Sequence, residues 1–393
     1  MRADVVYPDL SPLVLAIPEN PLRALFPYAT RPGMLNLASG HPSRDAYDSE
    51  GLTEAIRRAA GDTAAWSYGP GAGDPELVAA LEALSPPCPD GHRLIVTSGA
   101  QQAVDLALRS LARPGSTVLL PEPIYPAILS ICAAAGLRVA AYRVNTNDPD
   151  LTDLRRVLEE REVAALYAQP TYSNPGGETW GLSARKRMLE LCTVHSVPVI
   201  EDDPYRALCY AGVPPATLLE LSAQIEGSLV IWAGSLSKML APGLRLGWSI
   251  MPEALARPMT ELRQAGDLQP NALAQRVALR YLELGRLDAH LARVRGLYAA
   301  RHERLAAVLG AAGFAFEPVK GGMFLFPVLP ERAKVTGLFE RALEQKVLYA
   351  PGTAFALERG HSRFGNRLRL CFAGLDAENL NTAAARLVTA LRI

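Results

Sequence analysis

Lys238 has the clearest chemical prospects of any residue in this chain. It stands in Gly234-Ser-Leu-Ser-Lys-Met-Leu-Ala-Pro-Gly-Leu-Arg-Leu-Gly-Trp248, between small hydroxylated residues and a Pro-Gly turn that leads to Arg245. An amine held in a tight turn can condense with a carbonyl compound to a Schiff base. Ser235 and Ser237 add hydroxyl donors and Arg245 a planar, fork-shaped cation, the equipment for gripping a phosphate. A solvated surface lysine is the plain alternative, and a lone Ser-x-Ser-Lys would not displace it. The whole run S-x-S-K-x-x-x-P-G-x-R-x-G does. It points to a phosphorylated aldehyde, pyridoxal 5'-phosphate (PLP), anchored at Lys238.

The elements that must position this lysine follow from the hydrophobic pattern. Between residues 93 and 250, short apolar runs alternate with longer helical patterns, which predicts an α/β fold with a mostly parallel sheet flanked by helices. Strands are expected at Arg93–Thr97, Thr117–Leu120, Ala164–Ala168, Pro198–Ile200 and Leu229–Trp232. A helix is expected at about Ala184–His195, and helical patterns run from Pro252 to Leu309. The tail reads as a smaller α+β domain, with strands at Phe314–Phe316, Met323–Pro327, Val347–Ala350 and Arg367–Phe372 and helices at Ala333–Gln345 and Ala377–Leu391. The division expected is an N-terminal arm over residues 1–45 packing with the small domain, a large domain over 46–285, and a small domain over 286–393.

In open α/β sheets ligands bind beyond the carboxyl ends of the strands, and the unusual residues fall there. Ser98-Gly99-Ala100-Gln101 opens a helix, whose free N–H groups and positive dipole end suit a phosphate. Ser98 would equally serve as a helix cap. Asp202 and Tyr205 follow Val199-Ile-Glu, with Asp203 as a rival carboxylate. Asn174 lies in the turn-rich Ser-Asn-Pro-Gly-Gly177.

With these motifs the chain resembles the PLP-dependent aminotransferases of fold type I, from about Leu35 to Leu387. Within that family it is most similar to the branch holding 2-aminoadipate aminotransferases and the aminotransferase-like domains of some bacterial transcription regulators. The resemblance implies roles. Asp202 of the D-x-x-Y motif would pair with the pyridine nitrogen and keep it protonated, and Tyr205 and Asn174 would bond the ring O3'. The usual Thr after the Pro is here Gly176, which adds flexibility. The ring of Tyr125 would stack on the cofactor; a core tyrosine is the alternative. Tyr68, in Trp66-Ser-Tyr-Gly-Pro-Gly-Ala-Gly73, would reach the phosphate of a neighbouring subunit, which implies a homodimer with shared active sites. Relatives often carry an Arg where Val78 stands. A dinucleotide loop is rejected for that glycine string: no strand precedes it, no regular helix follows directly, and the spacing is wrong.

Arg369, in Asn366-Arg-Leu-Arg-Leu-Cys-Phe-Ala, would grip the substrate α-carboxylate. Arg367, two residues away, would point the same way in a regular strand, so motif position alone favours Arg369. The turn at Gly40 resembles one that lines the substrate pocket, with His41 beside it. Arg23 aligns loosely with an arm residue that reads the distal substrate group, against a plain surface role. Gly321-Gly-Met-Phe324 is expected to line the side-chain pocket, and His195 reads as structural.

Composition narrows the remaining classes. The chain has 393 residues, 40 Lys and Arg against 40 Asp and Glu, and five cysteines without C-x-x-C spacing. Zero net charge gives no reason to expect nucleic acid or an anionic membrane. The cysteines suggest neither a disulfide framework nor a metal site. No leader is read at the start and no apolar run reaches the ~20 residues a bilayer requires, so a cytoplasmic protein is expected. The implied reaction moves an amino group from an L-α-amino acid to a 2-oxo acid, with 2-oxoglutarate as the candidate acceptor. Another PLP enzyme on this fold (a β-lyase, decarboxylase or oxidase-like enzyme) and a non-catalytic effector domain remain alternatives.

Overall fold

The computed structural model describes residues 9–144, 148–358 and 363–391. The stretch Met1–Pro8, read above for a leader, lies outside them. Strand β1 (Leu35–Asn36) belongs to the smaller part of the molecule. A seven-stranded sheet is made by β2 (His92–Thr97), β3 (Thr117–Glu122), β4 (Arg138–Arg143), β5 (Ala165–Ala168), β6 (Val199–Asp202), β7 (Val230–Ser235) and β8 (Gly247–Pro252), in the order β2-β8-β7-β6-β5-β3-β4. Only β8 runs antiparallel, to both of its neighbours. The mostly parallel sheet is thus as expected. β4 and β8 had not been singled out, β4 because Arg-Val-Ala-Ala-Tyr-Arg carries a weak apolar signal.

Strands β5, β6 and β7 are buried along their whole length, because helices cover both faces of a parallel sheet. The two-residue side-chain period splits each strand between the covers. Leu94, Val96, Val199 and Val230 enter one apolar cluster, while Ile95, Ile200 and Ile231 pack on the other side against Ala103, Leu106 and Ala107 of the helix Ala100–Leu111.

The C-terminal part is built on β9 (Phe324–Leu325), β10 (Val347–Leu348), β11 (Ala350–Pro351) and β12 (Leu368–Cys371), with the helices Leu287–Ala311 and Ala377–Leu391 packed over them. The arm is tied to it through β1, which pairs with β10. Several boundaries differ from expectation. Phe314–Phe316 forms no strand; Ala315 makes a single bridge to Val328. The helix expected from Ala333 begins only at Leu338, since Gly337 is left-handed (φ 70°) and interrupts any earlier turn. Val347–Ala350 divides into β10 and β11 because the chain changes sheets there. No helix among the described residues is long and apolar enough to cross a membrane.

Candidate active site

The carboxyl ends of β2, β3, β5, β6 and β7 open on one cavity of about 1150 Å³, closed on the far side by the arm and by Arg369 of β12. Each strand end delivers a different group. After β7, Ser235 caps the short helix Leu236–Met239, its Oγ accepting from the Ser237 N–H at 3.1 Å. That turn sends Lys238 into the cavity, where its Nζ donates to the Gly40 carbonyl at 2.7 Å. Burial pushes the Lys238 amine down to about 8; Arg369 and Arg245 act in the same direction, Cys371 and Asp202 against it. Arg245 adopts a left-handed backbone (φ 52°), and its Nη2 donates to the Ser98 carbonyl at 3.1 Å.

The β7–β8 hairpin and the start of the helix Ala100–Leu111 approach unusually closely. A Cβ on Gly247 would lie 2.6 Å from the Ala100 nitrogen and 2.6 Å from the Gly99 carbonyl carbon. Gly99, at φ 91°, is the N-cap. Ser98 is therefore not the cap; its N–H instead donates to Gln102 Oε1 at 2.8 Å. Ala100 and Gln101 face the cavity from this helix start, together with Ser235, Ser237 and Arg245. Free helix N–H groups, hydroxyls and a guanidinium make an anion cradle.

At the end of β6 the neighbouring carboxylates separate. Asp203 turns away from the cavity to Trp232 Nε1, at 3.4 Å. Asp202 faces it, and its Oδ2 accepts from Tyr167 Oη and from Gln169 Nε2, each at 2.6 Å. Its Oδ1 is buried without a hydrogen-bond partner. Burial pushes the Asp202 carboxyl up to about 6, opposed by the Tyr167 and Gln169 bonds and aided by Asp203. A buried acceptor with no donor implies a missing one, and a protonated ring nitrogen would be such a donor. Tyr205, Tyr125 and Asn174 also line the cavity. The residues present fit PLP: an amine, an anion cradle, and between them a carboxylate oxygen awaiting a donor.

Arg369 is 2% exposed, its guanidinium carbon 4.6 Å above the Phe324 ring and 5.3 Å from that of Phe355. It donates to Asn174 Oδ1 at 3.1 Å and to the Ala38 carbonyl, while its Nε is unpartnered. Arg367 does not share this direction. It precedes β12 and bonds the Phe326 carbonyl at 3.0 Å, outside the cavity.

Other expectations need correction. Gly321–Phe324 does not line the cavity; Gly321 and Gly322 pack on Tyr172, and Phe324 backs Arg369. Gly176 is explained by packing, because a Cβ there would lie 2.0 Å from Glu178 Oε1. A helix, Pro75–Glu82, does begin shortly after the glycine string, capped by Asp74. Gly40, Arg23 and the exposed His41 line the cavity. Tyr68, assigned above to a neighbouring subunit's phosphate, lies outside this cavity and is 86% exposed. Tyr167 and Gln169 were missed. Their signal was available, since both sit at the end of β5, where Asp202 sits on β6.

Comparison with known proteins agrees with this geometry. Residues 32–387 match the model of the family described as aminotransferase class I and II. A 2-aminoadipate transaminase from Thermus thermophilus is 33% identical over 386 residues, 96% of this chain and 94% of that protein. The aromatic-amino-acid aminotransferase 1 of Thermococcus litoralis is 31% identical over 76% of this chain and 72% of its own. The crystal structure of the Thermus thermophilus α-aminoadipate aminotransferase, complexed with N-(5'-phosphopyridoxyl)-L-leucine, superposes with a TM-score of 0.86 at 31% identity. It covers 98% of this chain and 97% of that one.

Proposed function

The chain belongs to the class I and II aminotransferases, and on that premise we propose how its own residues divide the work. It is a PLP-dependent transaminase acting on small amino and oxo acids. When bound, PLP supplies an aldehyde that exchanges for an amino group and a ring that accepts the electrons of the broken Cα–H bond. Lys238 would hold it. Ala100, Gln101, Ser235, Ser237 and Arg245, with Ser98 and Gly99 shaping the turn, would hold the phosphate.

Asp202 would take the ring N–H on its free Oδ1, Tyr205 and Asn174 would reach the ring oxygen, and Tyr125 would cover one face. Arg369 would receive the substrate α-carboxylate, so that the Cα–H bond stands over the ring near Lys238. The Lys238 amine, held down near 8, is suited to take the proton from Cα and return it elsewhere. Gly40, whose carbonyl accepts from Lys238, would border the substrate, and Arg23 at the arm would meet its distal end. Substrates are L-α-amino acids in this reading, with 2-oxoglutarate as acceptor.

We also take residues 1–45, 46–285 and 286–393 as arm, large and small domains of a cytoplasmic homodimer. The exposure of Tyr68 and of Leu13, Val14 and Phe26 on the arm supports a partner subunit covering them. The observation carrying the reading is that Lys238, Asp202 and Arg369 line one cavity. Borohydride reduction of the PLP-loaded protein is expected to leave its label on Lys238. Glutamate should form when amino acids are supplied with 2-oxoglutarate. A label elsewhere, or none, overturns the assignment.

A further inference from the structure

The groups assigned to ring and substrate are joined beneath the cavity by one buried side chain. Gln169 Nε2 donates to Asp202 Oδ2 at 2.6 Å, and its Oε1 accepts from the Asn174 backbone N–H at 3.2 Å. Asn174 Oδ1 in turn accepts from Arg369. Gln169, Asn174, Asp202 and Arg369 are all buried. The amide can take only this orientation: a backbone N–H donates, an ionised carboxylate accepts, and the flipped amide would oppose like to like on both sides. Tyr167 reinforces one end only, donating to the same Asp202 oxygen.

We propose that Gln169 is a positioning residue that couples the Asp202 carboxylate to the Asn174–Arg369 pair, so that ring and substrate are aligned through one amide, while Tyr167 orients Asp202 alone. With both donors on Oδ2, Oδ1 is left without a hydrogen-bond partner. This rests on the reading that the cofactor ring meets Asp202. It separates two variants that a merely structural role would not.

Tyr167→Phe removes a single oxygen. It is expected to weaken PLP uptake by the apo protein, followed by tryptophan fluorescence, by about tenfold, as for one bond to a buried charge. The ¹⁵N resonance of labelled PLP should show the ring nitrogen losing its proton at lower pH, with KM for the amino acid unchanged. Gln169→Met should show the same two changes and also raise KM by about tenfold, since Asn174, and through it Arg369, loses one of the hydrogen bonds that place it. Should Gln169→Met fold poorly by circular dichroism, Gln169→Leu, which also removes both bonds, decides, with the same rise in KM expected. The inference fails if the Gln169 variants bind PLP like the wild type, if they leave KM within twofold, or if Tyr167→Phe raises KM. The wild type serves as the control for the underlying reading: if it takes no borohydride label at Lys238 the cofactor assignment itself fails, and otherwise only the coupling is at stake.

Discussion

Replacing Asp202 by Asn should make the cofactor-free protein more stable while disabling it. In the folded apo protein burial holds this carboxyl at about 6, against an ordinary 3.8. A raised carboxyl constant means that the folded state binds the proton more tightly than the unfolded chain. Stability from this group is therefore full below pH 3.8 and is lost as pH rises through about 6. At ~1.4 kcal/mol per decade, the gap corresponds to about 3 kcal/mol of penalty at pH 8. The Asn oxygen can accept from Tyr167 and Gln169 in place of Oδ2. Its NH₂ then takes the unpartnered position, returning about 1 kcal/mol.

The net expectation is about 2 kcal/mol more stability than the wild type at pH 8, with an advantage about 1 kcal/mol smaller at pH 5, where the wild-type carboxyl is mostly protonated. Urea unfolding of both apo proteins at the two pH values measures this. With PLP present the order should reverse, because the amide cannot hold the ring nitrogen protonated, and transamination should fall by at least about 100-fold. An apo variant no more stable at pH 8, or an advantage independent of pH, would refute the burial argument.

Uptake of PLP by the apo protein should accelerate about tenfold per pH unit up to pH 8 and level off above it, as the Lys238 amine, pushed down to about 8 by burial, becomes neutral; stopped-flow absorbance reads this, and a midpoint near 10.5 contradicts it. Gly247→Ala should cost about 3 kcal/mol and most PLP affinity, since its Cβ meets backbone rather than a side chain that could yield. Gly243→Ala, with open space around it, should stay within about 0.5 kcal/mol of the wild type by urea unfolding. Arg369→Ala should raise KM for the amino acid about 10- to 100-fold through loss of a charge-assisted pair, while the borohydride label at Lys238 persists; an unchanged KM would put the carboxylate elsewhere.

What could be read directly from the sequence was what depends on local order. The Ser-x-Ser-Lys turn, the Asp202–Tyr205 spacing and the apolar runs of β5, β6 and β7 are properties of adjacent residues, and a strand buried on both faces declares itself by an unbroken apolar run. Beyond that reach, identity was ambiguous. Asp202 and Asp203 are chemically equal on paper, and only the side of β6 on which each emerges gives one the cavity and the other Trp232. Arg367 and Arg369 separate because β12 starts at Leu368: Arg367 makes only an isolated bridge to Val328 and bonds the Phe326 carbonyl, while Arg369 lines the cavity. The need for glycine at 247 arises from a helix start nearly 150 residues earlier in the chain. Tyr167 and Gln169 went unnoticed because their place at the end of β5, though legible, does not say which charge they serve; only the pairing of β5 with β6 brings them within 2.6 Å of Asp202. Local order thus determined which chemistry this chain carries, and long-range packing decided which atoms face one another, since burial and hydrogen-bond partners are set by segments distant in sequence.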